Sequence, residues 1–128
     1  MREVSVSGVS ESGLAVNIQV GPHVVRCDEP AANGGTDSGP TPQETLLVAL
    51  GACEAITLRM YAARKGWPLR DAKVRLTAST VEGVYVIGRT LTLEGDLDDH
   101  QRARLHEIAN RCPVQRAITG EVRIEDRT

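Results

Sequence analysis

The sequence predicts an α+β fold, with a largely antiparallel sheet and one long helix buried on nearly all sides. Segments of two-residue apolar alternation gather in groups instead of interleaving singly with helices. One helical segment, from Thr41 to Lys65, is apolar nearly all the way round. The 128 residues, 41% hydrophobic and 25% charged, amount to a single globular domain spanning 1–128.

The elements follow in order. "REVSVSGV" alternates with Val4 and Val6 on one face, and "GLAVNIQVG" alternates through Leu14, Val16, Ile18 and Val20. Gly8 and Gly13 lie between them, so a hairpin is expected. "GPHVVRCDEP" adds a third strand ending near Asp28 and completes a meander. "EPAANGGTDSGP" is a loop by composition, long for a small domain, and loops of that length are often functional or mobile.

"TPQETLLVALGAC" opens a helix. Thr41 fits the N-cap, Pro42 the first helical position and Glu44 the third, a capping box with the preferred proline inside it. The helix should reach about Lys65, with Gly66 in the left-handed position after it. Leu46, Leu50, Cys53, Thr57 and Met60 form one stripe, and Leu47, Val48, Ala49, Ala52 and Ile56 fill much of the remaining circumference. So long a helix, about 35 Å at 1.5 Å per residue, needs more cover than one small chain supplies. A second copy of the chain is therefore expected against it.

"DAKVRLTAS" and "GVYVIGRTLTLEGDL" read as two further strands, and "DDHQRARLHEIANRC" as a second helix capped by Asp98 or Asp99. Pro113 breaks it; "PVQRAIT" reads as a short helix and "GEVRIED" as a final edge strand. The expected order is β-β-β-α-β-β-α-α-β.

Several function classes are disfavoured. The net charge is −2 with both signs interspersed, and the aromatics are only Tyr61, Trp67 and Tyr85. Neither a basic stripe nor a stacking platform for nucleic acid is present. The N-terminal stretch has no apolar export signal, and no run approaches the roughly 20 apolar residues of a bilayer span, so no membrane is expected. Three cysteines, an odd number, without an export signal point to a reducing cytoplasm. His23, His100 and His106 stand apart and no CxxC occurs, so no metal is expected; "NGGTDSGP" lacks the pattern of a phosphate-binding loop.

The thiols remain. Cys53, on an apolar helix stripe, reads as a small core residue unless a cation or donor reaches it from elsewhere. Cys112 immediately precedes a proline-started helix, with Arg111 and Arg116 nearby. There the helix dipole favours a thiolate, so Cys112 is expected to ionise more readily than Cys53. It reads equally as a plug at a helix corner. Cys27, before the acids of "CDEP", reads as structural.

Two segments, "GPTPQETLLVALGACEAITLRMYAARKGW" and "LHEIANRCPVQRAI", closely resemble the osmotically inducible protein C / organic hydroperoxide resistance family. "DEPAANGG" is similar to its general OsmC-like subgroup. The resemblance covers nearly the whole chain. It implies an OsmC-like fold in an intertwined homodimer, with sheets wrapped around long central helices. It implies a thiol peroxidase for small apolar hydroperoxides. Cys53 would attack the O–O bond, its sulfenic acid would condense with Cys112, and an external dithiol would reduce the disulfide, with no other cofactor. The alternative is a non-catalytic dimeric stress or binding protein of the same fold, holding a small apolar ligand. The chain departs from the family pattern at three places. Gln43 stands where the peroxidases carry a Glu, with the acid one place later at Glu44. The first hairpin loop, "GVSESG", has no Arg to lie on the thiolate, leaving Arg2, Arg26 or Arg116 as candidates. Gln115 replaces the usual His of the second motif.

Overall fold

A computed structural model describes residues 1–128. The chain divides into two compact units, Met1–Leu46 and Leu47–Thr128.

In the first unit, β1 (Val4–Gly8), β2 (Val16–Val20) and β3 (His23–Cys27) form the expected antiparallel meander. Val6 pairs with Ile18, and Ile18 with Val25, so one apolar row crosses all three strands. The loop after β3 is pinned from within. Asp28, 3% exposed, accepts the Thr36 and Ser38 backbone amides at 3.1 Å each and both hydroxyls at 2.8 Å. Donation from the Ser38 amide, then from the Thr36 hydroxyl and the Glu29 amide, holds this carboxyl well below the usual range. Gly35 passes so close to the Glu29 carbonyl that no side chain fits there. Composition marks a loop; the acid at its entrance gives that loop a shape.

The second unit is built on α1 (Pro42–Lys65), whose first turn belongs to the first unit. The capping box forms as expected: Thr41 Oγ1 accepts the Glu44 amide at 3.1 Å, and Glu44 Oε1 accepts the Thr41 amide at 2.8 Å. At the other end Gly66 has φ 67°, where L side chains are strained, and Trp67 N–H returns to the Ala62 carbonyl at 2.9 Å. β4 (Leu69–Val81) and β5 (Val84–Gly95) make a long antiparallel ribbon, with Ala72 opposite Leu93 and Leu76 opposite Arg89. α2 (Asp99–Ala109) is capped by Asp98 in a reciprocal box with Gln101, and α3 (Pro113–Thr119) follows at once. The core joins Leu58 of α1, Ala72 and Leu93 of the ribbon, Leu97, and Leu105, Ile108 and Ala109 of α2. Arg102 ties down the turn between β5 and α2 by donating to the Leu93, Gly95 and Leu97 carbonyls at 2.6, 3.0 and 3.2 Å.

Two expectations are corrected. "GEVRIED" is not a strand: residues 121–128 have no regular structure, and Ile124 is 94% exposed. A strand exists only in a ladder, and neither sheet of the chain takes this segment up. α1 does have the length and composition of a bilayer-crossing helix, with a mean hydropathy of 1.5. Counting uninterrupted apolar residues missed it, because Gly51, Glu54, Thr57 and Arg59 interrupt the run while the mean stays high. A core helix of a globular protein passes the same test.

Candidate functional site

The site lies wholly within the second unit, where α1, β5 and the α2–α3 corner meet. α1 buries Leu50, Glu54, Leu58 and Ala62, four residues at successive turns. Glu54 is the exception among them, a carboxylate with 0% exposure. Isolated burial of that charge would be prohibitive, so it must be paired. Its partner comes from β5. Along that strand Ile87, Arg89, Leu91 and Leu93 share the inward face, and Arg89 Nη1 donates to Glu54 Oε1 at 2.8 Å. The same nitrogen donates to Gln115 Oε1 of α3 at 3.1 Å, and Gln115 Nε2 reaches Asn110 Oδ1 at 3.3 Å.

Cys112 sits at this junction. Its extended backbone, φ −63° and ψ 138°, makes it the N-cap of α3, with Pro113 as the first helical residue. Its Sγ accepts the Gln115 amide at 3.2 Å and is fully buried. Cys53, half-buried on α1 beside Glu54, lies close enough to the Cys112 thiol to push its ionisation up. Two thiols far apart in sequence are therefore neighbours, and both are free.

The structure corrects the expected ease of ionisation at Cys112. The N-cap geometry is there, yet burial pushes the Cys112 thiol up. Donation from the Gln115 amide opposes that shift, while the neighbouring Cys53 side chain and the Glu54 charge add to it. Sequence gave the dipole but not the complete loss of solvent, which is the larger effect.

The other candidates have other places. Glu44 serves the helix cap, and Gln43 is exposed in the first turn of α1. Arg26, in the first unit, points its Nε at Asn17 Oδ1 at 3.4 Å. Arg116 is exposed in the last turn of α3. Cys27 is buried with its sulfur 3.2 Å from the Thr45 hydroxyl. The cation at the site is Arg89, which sequence reasoning passed over. Two signals could have found it: an Arg on the apolar face of a strand, and a Glu on the apolar face of a helix. Each predicts the other as a buried partner. No group of three or more His, Cys, Asp or Glu side chains comes together in a metal-binding arrangement. Oxidation of the two thiols to a disulfide, through one partly accessible sulfur and one shielded one, is the chemistry this arrangement can carry.

Comparisons with known proteins bear on which chemistry that is. The sequence pattern of the OsmC-like protein family matches residues 35–126. No curated protein matches the chain. Among solved structures it is similar to an OsmC-like protein from Mycoplasma pneumoniae, with TM-score 0.77 and 17% identity over 94% of this chain and 88% of that one. It is also similar to the organic hydroperoxide resistance protein OhrB of Bacillus subtilis, with TM-score 0.63 and 22% identity over 94% and 91%. An organic hydroperoxide resistance protein OsmC from Legionella pneumophila gives TM-score 0.65 and 20% identity over 94% and 90%. At these identities the structural likeness speaks for the fold.

Proposed function

The chain belongs to the OsmC-like protein family, and from that premise we propose that it reduces organic hydroperoxides with Cys53 and Cys112. The Cys53 thiolate attacks the O–O bond, the alcohol leaves with a proton, and Cys53 becomes a sulfenic acid. The Cys112 thiol condenses with that sulfenic acid, forming the Cys53–Cys112 disulfide and releasing water. An external dithiol then reduces the disulfide and is itself oxidised. The setting is oxidative-stress defence in the cytoplasm, and the working unit is a homodimer.

The observation that carries this reading is the meeting of two free thiols from α1 and the α2–α3 corner, one half-buried and one sealed from solvent. An attacking sulfur must be reached by substrate, and a resolving sulfur must be close and protected. The hydroperoxide resistance proteins among its structural neighbours support the substrate class. The homodimer is supported by α1, which leaves Val48, Ile56 and Met60 more than half exposed, at 59, 57 and 57%.

The test is consumption of cumene hydroperoxide in the presence of a dithiol. The protein is expected to turn over, and Cys53→Ser to fall to the uncatalysed rate. Equal consumption by both would overturn the proposal. A bound apolar ligand in native mass spectra without any turnover would favour the binding-protein alternative instead.

A further inference from the structure

A cleft lies between the C-terminal half of α1 and α2, within the second unit. Its volume is about 430 Å³, in the range of small-molecule sites, and Tyr61, Lys65, Trp67, His100, Arg104 and Glu107 surround it. Tyr61 and Lys65 are one turn apart on α1, and His100, Arg104 and Glu107 recur at the spacing of one face of α2. The whole chain has one Trp, two Tyr and no Phe. Two of its three aromatic rings therefore stand at this one cleft, packed edge to face with centroids 5.5 Å apart. Tyr61 lies about 12 Å beyond Cys53 along α1, and roughly 140° round the helix from the exposed Val48 and Ile56. The cleft is thus separate from the thiols and from the face expected to meet a second copy.

The charges of the cleft are unequal. Arg104 Nε donates to the Tyr61 hydroxyl at 3.1 Å and Arg104 Nη1 to Glu107 Oε2 at 2.8 Å. The one carboxylate of the cleft is therefore already paired, and Arg104 Nη2 is left over. Lys65 forms no ion pair; its ammonium rests 5.7 Å from the centre of the Tyr61 ring, and the Arg104 guanidinium 5.8 Å from it. The Tyr61 hydroxyl is held below its usual range, first by the Arg104 hydrogen bond; burial opposes this, and the Arg104, Lys65 and Arg111 charges add to it. The field over the rings is positive. Both cations lie over Tyr61, which leaves half-buried Trp67 and the exposed Ala103 methyl as the apolar wall. An aromatic wall beside cations without partners suits a flat ring that carries a negative charge.

We propose that this cleft binds a small aromatic carboxylate, its ring against Trp67 and Ala103 and its carboxylate between Lys65 and the Nη2 edge of Arg104. Arg104, anchored by Tyr61 and Glu107, offers a fixed donor edge, and Lys65 a mobile point charge. Binding is reversible and uses neither thiol. It goes beyond the hydroperoxide reading and stands whether or not that reading holds.

Trp67 is the only tryptophan, so its fluorescence reports on this cleft alone. The experiment titrates the full chain with benzoate while Trp67 emission is followed. A saturable change is expected, half-complete at on the order of a millimolar for so small a ligand. Benzamide keeps the ring without the charge, and acetate keeps the charge without the ring; each should bind about tenfold more weakly or worse. Lys65→Met, at an exposed position that the fold does not depend on, should weaken benzoate about tenfold and leave benzamide unchanged. Arg104→Met should weaken it too, but it also frees Tyr61 and Glu107, so the Lys65 variant decides. Cys53→Ser should bind benzoate as the native protein does. No saturable change with benzoate overturns the proposal. So does benzamide or acetate binding as well as benzoate, or a Lys65→Met variant with native affinity. Loss of binding in Cys53→Ser would place the ligand at the thiols and overturn it equally. Benzoate binding in a protein that fails to reduce hydroperoxide would keep this site and reject the peroxide reading.

Discussion

At the scale of single residues, the two thiols are distinguished by solvent. Cys112 has an N-cap and an amide donor, both of which favour a thiolate, yet burial outweighs them and its thiol is pushed up. The sign for stability follows. A thiol held neutral in the folded protein contributes stability below its unfolded value of about 8.5, and loses it as pH rises through the higher folded value. Urea midpoints at pH 7.5 and 10.5 are therefore expected to fall further for the native protein than for Cys112→Ala. Equal falls would mean that burial does not control this thiol. The identity of Cys53 and Cys112 as the interesting cysteines was legible from the two motifs. The upward push on the Cys112 thiol was not, because dipoles are read from local sequence and burial is set by the fold.

At the scale of elements, Glu54 and Arg89 join α1 to β5, and the pair is asymmetric: the carboxylate side chain is 0% exposed and the guanidinium 23%. Removing one partner leaves a charge in the core. Arg89→Met is expected to cost about 3–5 kcal/mol, and adding Glu54→Leu to recover most of it, since apolar replacement of a buried pair is often near neutral. Chemical denaturation of the single and double variants measures this; an Arg89→Met cost within about 0.5 kcal/mol would show the pair to be dispensable. Element existence was well marked in the sequence where local signals are self-contained: the Thr41–Glu44 box, Pro113 and Gly66 each act within a turn of themselves. The terminal "GEVRIED" was misread because alternation states only that a strand could form. Whether it forms depends on an edge to pair with, which no local pattern encodes.

At the scale of the whole molecule, the helix that organises the second unit leaves much of its apolar surface uncovered, and Val122 and Ile124 of the tail are exposed as well. Each large side chain kept from water contributes roughly 1.5–3 kcal/mol, against a total stability of about 5–15 kcal/mol for a domain. An isolated chain is therefore expected to be unfolded or aggregated, and sedimentation at low micromolar concentration should find only the dimer. A stable folded monomer would contradict this. The all-round apolar character of α1 was visible in the sequence as a demand for cover. The Glu54–Arg89–Gln115 network was not, because it joins positions that only the fold brings together. The central claim is that Cys53 and Cys112 act as one redox pair, and the most direct measurement is peptide mapping after a single equivalent of cumene hydroperoxide. The account predicts a Cys53–Cys112 disulfide in the native protein and a trapped Cys53 sulfenic acid in Cys112→Ser. Both thiols left unmodified, or Cys53 oxidised beyond the sulfenic acid with Cys112 never joined to it, would contradict it.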